Sequence, residues 1–103
     1  MLAELSITPI GEGEHLAGPV SLAIDLIAAS GLTYQVTAMG TLIEGPDDRV
    51  WELLRRCHEA VRGRSARLVT EIRLDDAGRS GQALDRSVRR VEEELQRPVA
   101  RTP

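Results

Sequence analysis

The hydrophobic period of this chain switches repeatedly between two and 3.6 residues, and the order of the switches leaves few folds open. Residues 2–10 (LAELSITPI) alternate, with Ala3, Leu5 and Ile7 on one side and Glu4, Ser6 and Thr8 on the other. That is the pattern of a half-buried strand. Pro9 and the Gly11-Glu12-Gly13 run end it. From Leu16 to about Ser30 the apolar residues Leu16, Val20, Ala23, Ile24 and Ile27 fall on one helical stripe. Pro19 suits only a first turn, so the regular helix starts near Gly18, and Gly31 stops it.

Residues 32–45 (LTYQVTAMGTLIEG) read as a hairpin. A two-residue turn at Met39-Gly40 supplies glycine where φ is positive. It predicts Val36 opposite Ile43 and Gln35 opposite Glu44. One continuous bent strand is the competing reading. Pro46-Asp47-Asp48 then opens a helix, with proline at the first position and acidic residues at the positive end. Val50, Leu53, Leu54, Cys57 and Val61 form its buried stripe, and Gly63 closes it. Residues 66–75 (ARLVTEIRLD) make the last strand, with Leu68, Thr70, Ile72 and Leu74 on one side. After a polar loop, Leu84, Val88, Val91 and Leu95 mark a final helix. Residues 1–96 are expected to form one domain, and residues 97–103 a disordered tail.

Strand, helix, hairpin, helix, strand is the βαββαβ order of an α+β ferredoxin-like sandwich. The expected antiparallel sheet order is 4-1-3-2, with two helices on one face and a C-terminal helix added.

Composition narrows function. The chain has 103 residues, no Phe, one Trp and one Tyr, so its core is aliphatic. It offers no aromatic platform for stacking bases, and its net charge of -3 is the wrong sign for a phosphate backbone. Nucleic acid is therefore disfavoured as a partner. No run approaches a membrane span, and the start lacks the basic and apolar regions of a signal peptide. One cysteine, Cys57, suits a reducing compartment, and the expected location is the cytoplasm.

The sheet face away from the helices carries Glu4, Ser6, Thr8, Gln35, Thr37, Leu42, Glu44, Val69, Glu71, Arg73 and Asp75. Carboxylates outnumber the single guanidinium. Such a face either stays solvated or pairs with another subunit and encloses a lined pocket. The stripe of the final helix also needs a partner, so a homo-oligomer, dimer or tetramer, is expected.

Four segments carry a family resemblance: MLAELSITPIGEG at the start, TYQVTAMGTLIEG at 33–45, CHEAV at 57–61 and EIRLDD at 71–76. Together they resemble the small thiamine-binding proteins over about residues 1–90. The most specific piece is Met39-Gly40-Thr41 followed by Glu44-Gly45. Ala38 departs from the family, which often has proline there, and Glu14-His15-Leu16-Ala17 lacks the family's hydroxyl residues. The resemblance implies a ferredoxin-like homo-oligomer that binds thiamine or its hydroxymethylpyrimidine moiety, without catalysis and without a cofactor. Thiamine's fixed positive charge and aminopyrimidine call for a carboxylate, hydroxyls and an apolar wall. Glu4, Ser6, Thr8, Thr37, Thr41 and Glu44 could provide the polar groups. Met39 could provide the wall, and Gly40 the turn between them. The rival reading is a regulatory or structural assembly module without a small ligand; an enzyme ranks last.

The remaining motifs have plainer explanations. Gly11-x-Gly13 lacks the last glycine of a dinucleotide fingerprint, since Leu16 stands in its place. Cys57 lies on an apolar stripe, where a thiol behaves as a small hydrophobe. His15 and His58 sit in unrelated segments without metal-ligand spacing. Asp75-Asp76 reads as a polar strand end, and Arg86, Arg89 and Arg90 as a solvated face.

Overall fold

The computed structural model describes residues 1–11, 17–77 and 91–96. Its elements are β1 (Leu2–Ile10), α1 (Ala17–Ala29), β2 (Thr33–Thr37), β3 (Gly40–Glu44), α2 (Asp47–Arg62) and β4 (Arg67–Asp75). The sheet order is β2-β3-β1-β4, the expected 4-1-3-2 arrangement, and each neighbouring pair is antiparallel. Each helix carries the chain between strands that are not adjacent, as an antiparallel sheet of this order requires.

The alternation in β1 becomes burial. Ala3 and Leu5 join Ile43 of β3 beneath the helices, together with Ala23 and Ile27 of α1. The α2 stripe is Val50, Leu53, Leu54, Cys57 and Val61, all buried. Helix α1 ends at Ala29; the next residue, Ser30, donates its hydroxyl to the Ile27 carbonyl at 2.6 Å before Gly31 turns the chain at φ +80. Pro46 is the N-cap of α2 rather than its first residue, with Asp47 and Asp48 filling the first turn. Its carbonyl accepts from the Val50 N–H at 3.0 Å.

The hairpin forms, but one residue earlier than the sequence suggested. Thr37 pairs with Gly40 and Val36 with Thr41, which leaves Ala38 and Met39 as the loop. Tyr34, not Val36, is opposite Ile43, and Leu42, not Glu44, is opposite Gln35. Two effects decide this, one within the turn and one from β1. The Thr37 hydroxyl donates to the Gly40 carbonyl at 2.8 Å and accepts from the Met39 N–H at 3.2 Å, so it holds the turn itself. Gly40, at φ +153, is needed where β3 meets β1: a Cβ there would lie 2.9 Å from the Leu5 carbonyl oxygen. The pairing slips by two residues, so every side chain keeps its face.

The helices cover the middle of the sheet and not its borders. Leu68 of β4 packs against the core, whereas Ile72 and Leu74 on the same side are exposed. Tyr34 and Val36 of β2 are exposed as well. Residues 91–95 are helical, which agrees with the expected final helix, and Val91 and Leu95 are exposed. Leu16, Leu84, Val88 and the tail from 97 to 103 lie outside the described residues.

Candidate functional site

Strand β1 is one of the two inner strands of the sheet, flanked by β3 and β4. Glu4 stands opposite Leu42 on β3 and Arg73 on β4. At that end of the sheet is an open hollow of about 230 Å³, lined by Leu2, Glu4, Leu42, Arg73, Leu74 and Asp75. Leu2 and Leu42 form its apolar wall, and two carboxylates and one guanidinium supply its charge. The Arg73 Nη1 sits 3.8 Å from Glu4 Oε1. Arg73 is largely in water, so this pair contributes little to stability.

Of the residues singled out in the sequence, Glu4 lines the hollow. Gly40 stands at the other end of β3 from Glu44, away from the hollow, although a Cβ there would lie 3.4 Å from Glu4 Cγ. Glu44 is buried at the same end of the sheet, opposite Leu2 on one side and Thr33 on the other. Ser6 and Thr8 share the face of Glu4 but run away from the hollow, opposite Glu71 and Val69. Thr37 is committed to the turn. Met39 projects from the loop with 80% of its surface exposed. Thr41 is buried opposite Leu5, on the helix-covered face. Thus Glu4 lines the hollow and Glu44 lies at the same end of the sheet, while Gly40, Thr8, Met39 and Thr41 lie elsewhere.

Leu2, Leu42, Arg73, Leu74 and Asp75 belong to the hollow and were not singled out as ligand contacts. Leu42, Arg73 and Asp75 were assigned to the open face by alternation. Only the β1–β4 pairing, which sets Leu2 against Asp75, tells which end of that face is concave.

Two other features have chemical interest. A second hollow of about 270 Å³ lies between the end of α1 and the start of α2, lined in part by Asp48, Arg49, Glu52 and Arg56. Its charges are mixed, and Arg49 already donates to the Ser30 carbonyl at 2.7 Å. Cys57 is buried with its sulfur 3.7 Å from the Ala23 carbonyl oxygen. Burial pushes its thiol up to about 11, so it is protonated and inert near neutrality. The neighbouring His58 Nδ1 lies 2.7 Å from the Thr70 hydroxyl and ties α2 to β4.

Among the described residues no group of three or more His, Cys, Asp or Glu side chains could hold a metal ion. No helix among them is long and apolar enough to cross a membrane.

A family model described as "Thiamine-binding protein" matches residues 3–92. A UPF0045 protein of Mycobacterium bovis is 36% identical over 99 residues, covering 95% of this chain and 97% of that one. The UPF0045 protein MJ1052 of Methanocaldococcus jannaschii is 27% identical over 93 residues, covering 90% and 93%. A crystal structure of MJ1052 superposes with a TM-score of 0.80 over 89% of this chain and 95% of that one. A Thermotoga maritima protein, assigned provisionally to thiamine biosynthesis or salvage, superposes with a TM-score of 0.72 at 18% identity. That match covers 92% of this chain and 94% of the other, and it bears on the fold alone.

Proposed function

The chain belongs to the thiamine-binding protein family, and from that premise we propose that it binds thiamine or its hydroxymethylpyrimidine moiety, without catalysis, as a homo-oligomer. The observation that carries this reading is Glu4, half-buried on the floor of a hollow walled by Leu2 and Leu42. A carboxylate beside aliphatic surface suits a cation with an apolar body. Asp75 at the rim adds a second negative group. A cytoplasmic site of action accords with the single buried thiol.

A thermal titration tests this. A ligand that binds only the native protein stabilises it by about 2.7 kcal/mol at a hundred times Kd. For a domain of this size that raises Tm by roughly 10–20 °C. Thiamine or hydroxymethylpyrimidine should give a rise that continues with the logarithm of its concentration, and Glu4→Gln should weaken thiamine binding about fivefold. Unchanged affinity in Glu4→Gln would remove the hollow as the site.

The second reading, an assembly module with no small ligand, draws on the exposed apolar residues of the outer strands, Tyr34 and Val36 on β2 and Ile72 and Leu74 on β4. It predicts a stable oligomer whose Tm ignores every thiamine compound.

A further inference from the structure

We infer that Arg73 is the resident counter-cation of the hollow, a built-in competitor that a cationic ligand must displace from Glu4. This rests on the proposed thiamine-type ligand. Glu4 and Arg73 are direct cross-strand partners on β1 and β4. Their charged groups approach to 3.8 Å, which brings the guanidinium into the space where a ligand's positive charge would meet Glu4. The two partners differ in burial: the Glu4 side chain is 30% exposed and that of Arg73 86%. The carboxylate is therefore fixed in the wall, while the guanidinium is hydrated and ends a long flexible stem.

Displacement is cheap for two reasons. A solvent-exposed pair of this kind is weak. Strand alternation also puts Glu71 and Asp75 on the same face of β4, two residues to either side of Arg73. A guanidinium that leaves Glu4 thus stays beside negative charge. Neutralising Glu4 in the empty protein lowers the affinity for any cation by the strength of the pair. Arg73 thereby sets how strongly a ligand's charge is rewarded, and is a specificity-determining residue rather than a ligand contact.

Thiamine affinity of wild type, Arg73→Gln, Arg73→Lys and Arg67→Gln, measured by calorimetry, tests the inference. Arg67 lies on the same strand and face as Arg73, about 20 Å away at 3.3 Å per residue. Its replacement makes the same change in net charge far from the hollow. Arg73→Gln is expected to bind thiamine about two- to fivefold tighter at low salt, with the gain fading in 1 M salt. Arg73→Lys keeps a competing charge and should match wild type, as should Arg67→Gln. Weaker binding by Arg73→Gln would make Arg73 a ligand contact and overturn the inference. Equal affinity in wild type and Arg73→Gln, or an equal gain in Arg67→Gln, would overturn it while leaving the proposed function standing. Absence of thiamine binding in all four proteins would overturn both.

Discussion

Replacing Gly40 with alanine should damage the fold more than any turn-propensity argument suggests. The new methyl would lie 2.9 Å from the Leu5 carbonyl oxygen and 3.4 Å from Glu4 Cγ. Glu4 can yield, because it is a flexible side chain. Leu5 cannot yield alone, because its carbonyl belongs to the central strand. An L-residue at φ +153 also costs about 1–3 kcal/mol. Overpacking against a fixed neighbour costs a similar amount. The two overlap, so the expected loss is about 2–4 kcal/mol, against about 5–15 kcal/mol for a whole domain. At fixed protein concentration Tm should fall by about 10–25 °C. Urea unfolding followed by circular dichroism measures the loss directly. Gly45→Ala is the internal comparison: its Cβ would meet Leu32 Cδ2 at 2.8 Å, the movable end of a side chain. A loss below about 1 kcal/mol in Gly40→Ala, or a larger loss in Gly45→Ala, would refute the claim that β1 backbone dictates this glycine.

Cys57 should react with a maleimide at pH 8 only as fast as the protein unfolds. Because its folded thiol is raised from 9.0 to about 11, the unfolded chain ionises first. Stability should therefore be untouched by this group below pH 9 and decline between about pH 9 and 11. Ser65 is buried, and its hydroxyl has no hydrogen-bond partner among the described residues. Ser65→Ala should leave stability unchanged or raise it by up to about 1 kcal/mol, and a clear loss in urea unfolding would reveal an unseen partner.

The fold was legible because each element announced itself locally. The β1 alternation, the α2 stripe and Gly31 depend on near neighbours in sequence, and they reappear as burial and backbone geometry. The hairpin register was misread because a positive-φ glycine suggests a turn, whereas Gly40 answers to β1, thirty-odd residues earlier. Periodicity could not correct this, since both registers keep Leu42 on one face and Ile43 on the other. The hollow was half legible for the same reason. Glu4 stood out as a carboxylate in an apolar-edged strand. The expected order set β4 beside β1, but Asp75 and Leu2 take on meaning only through the register that makes them partners, which no local pattern states. Thr41 was read as a polar contact, yet strand alternation sets it on the core side with Ile43, opposite in sense to Leu42 and Glu44.

The central place of β1 bears on how the chain assembles. Within this sheet it precedes the other strands in sequence, but its neighbours are β3 and β4, and Leu2 waits for Asp75. Contacts so distant in sequence slow folding, because the intervening loop must close before any pairing rewards it. During synthesis β1 therefore emerges as a strand with both edges bare, which is a hazard for association with other nascent chains. The polar residues Glu4, Ser6 and Thr8 leave it only one sticky side through that interval. The same residues that shape the open face of the finished sheet thus keep its founding strand soluble until the last strand arrives.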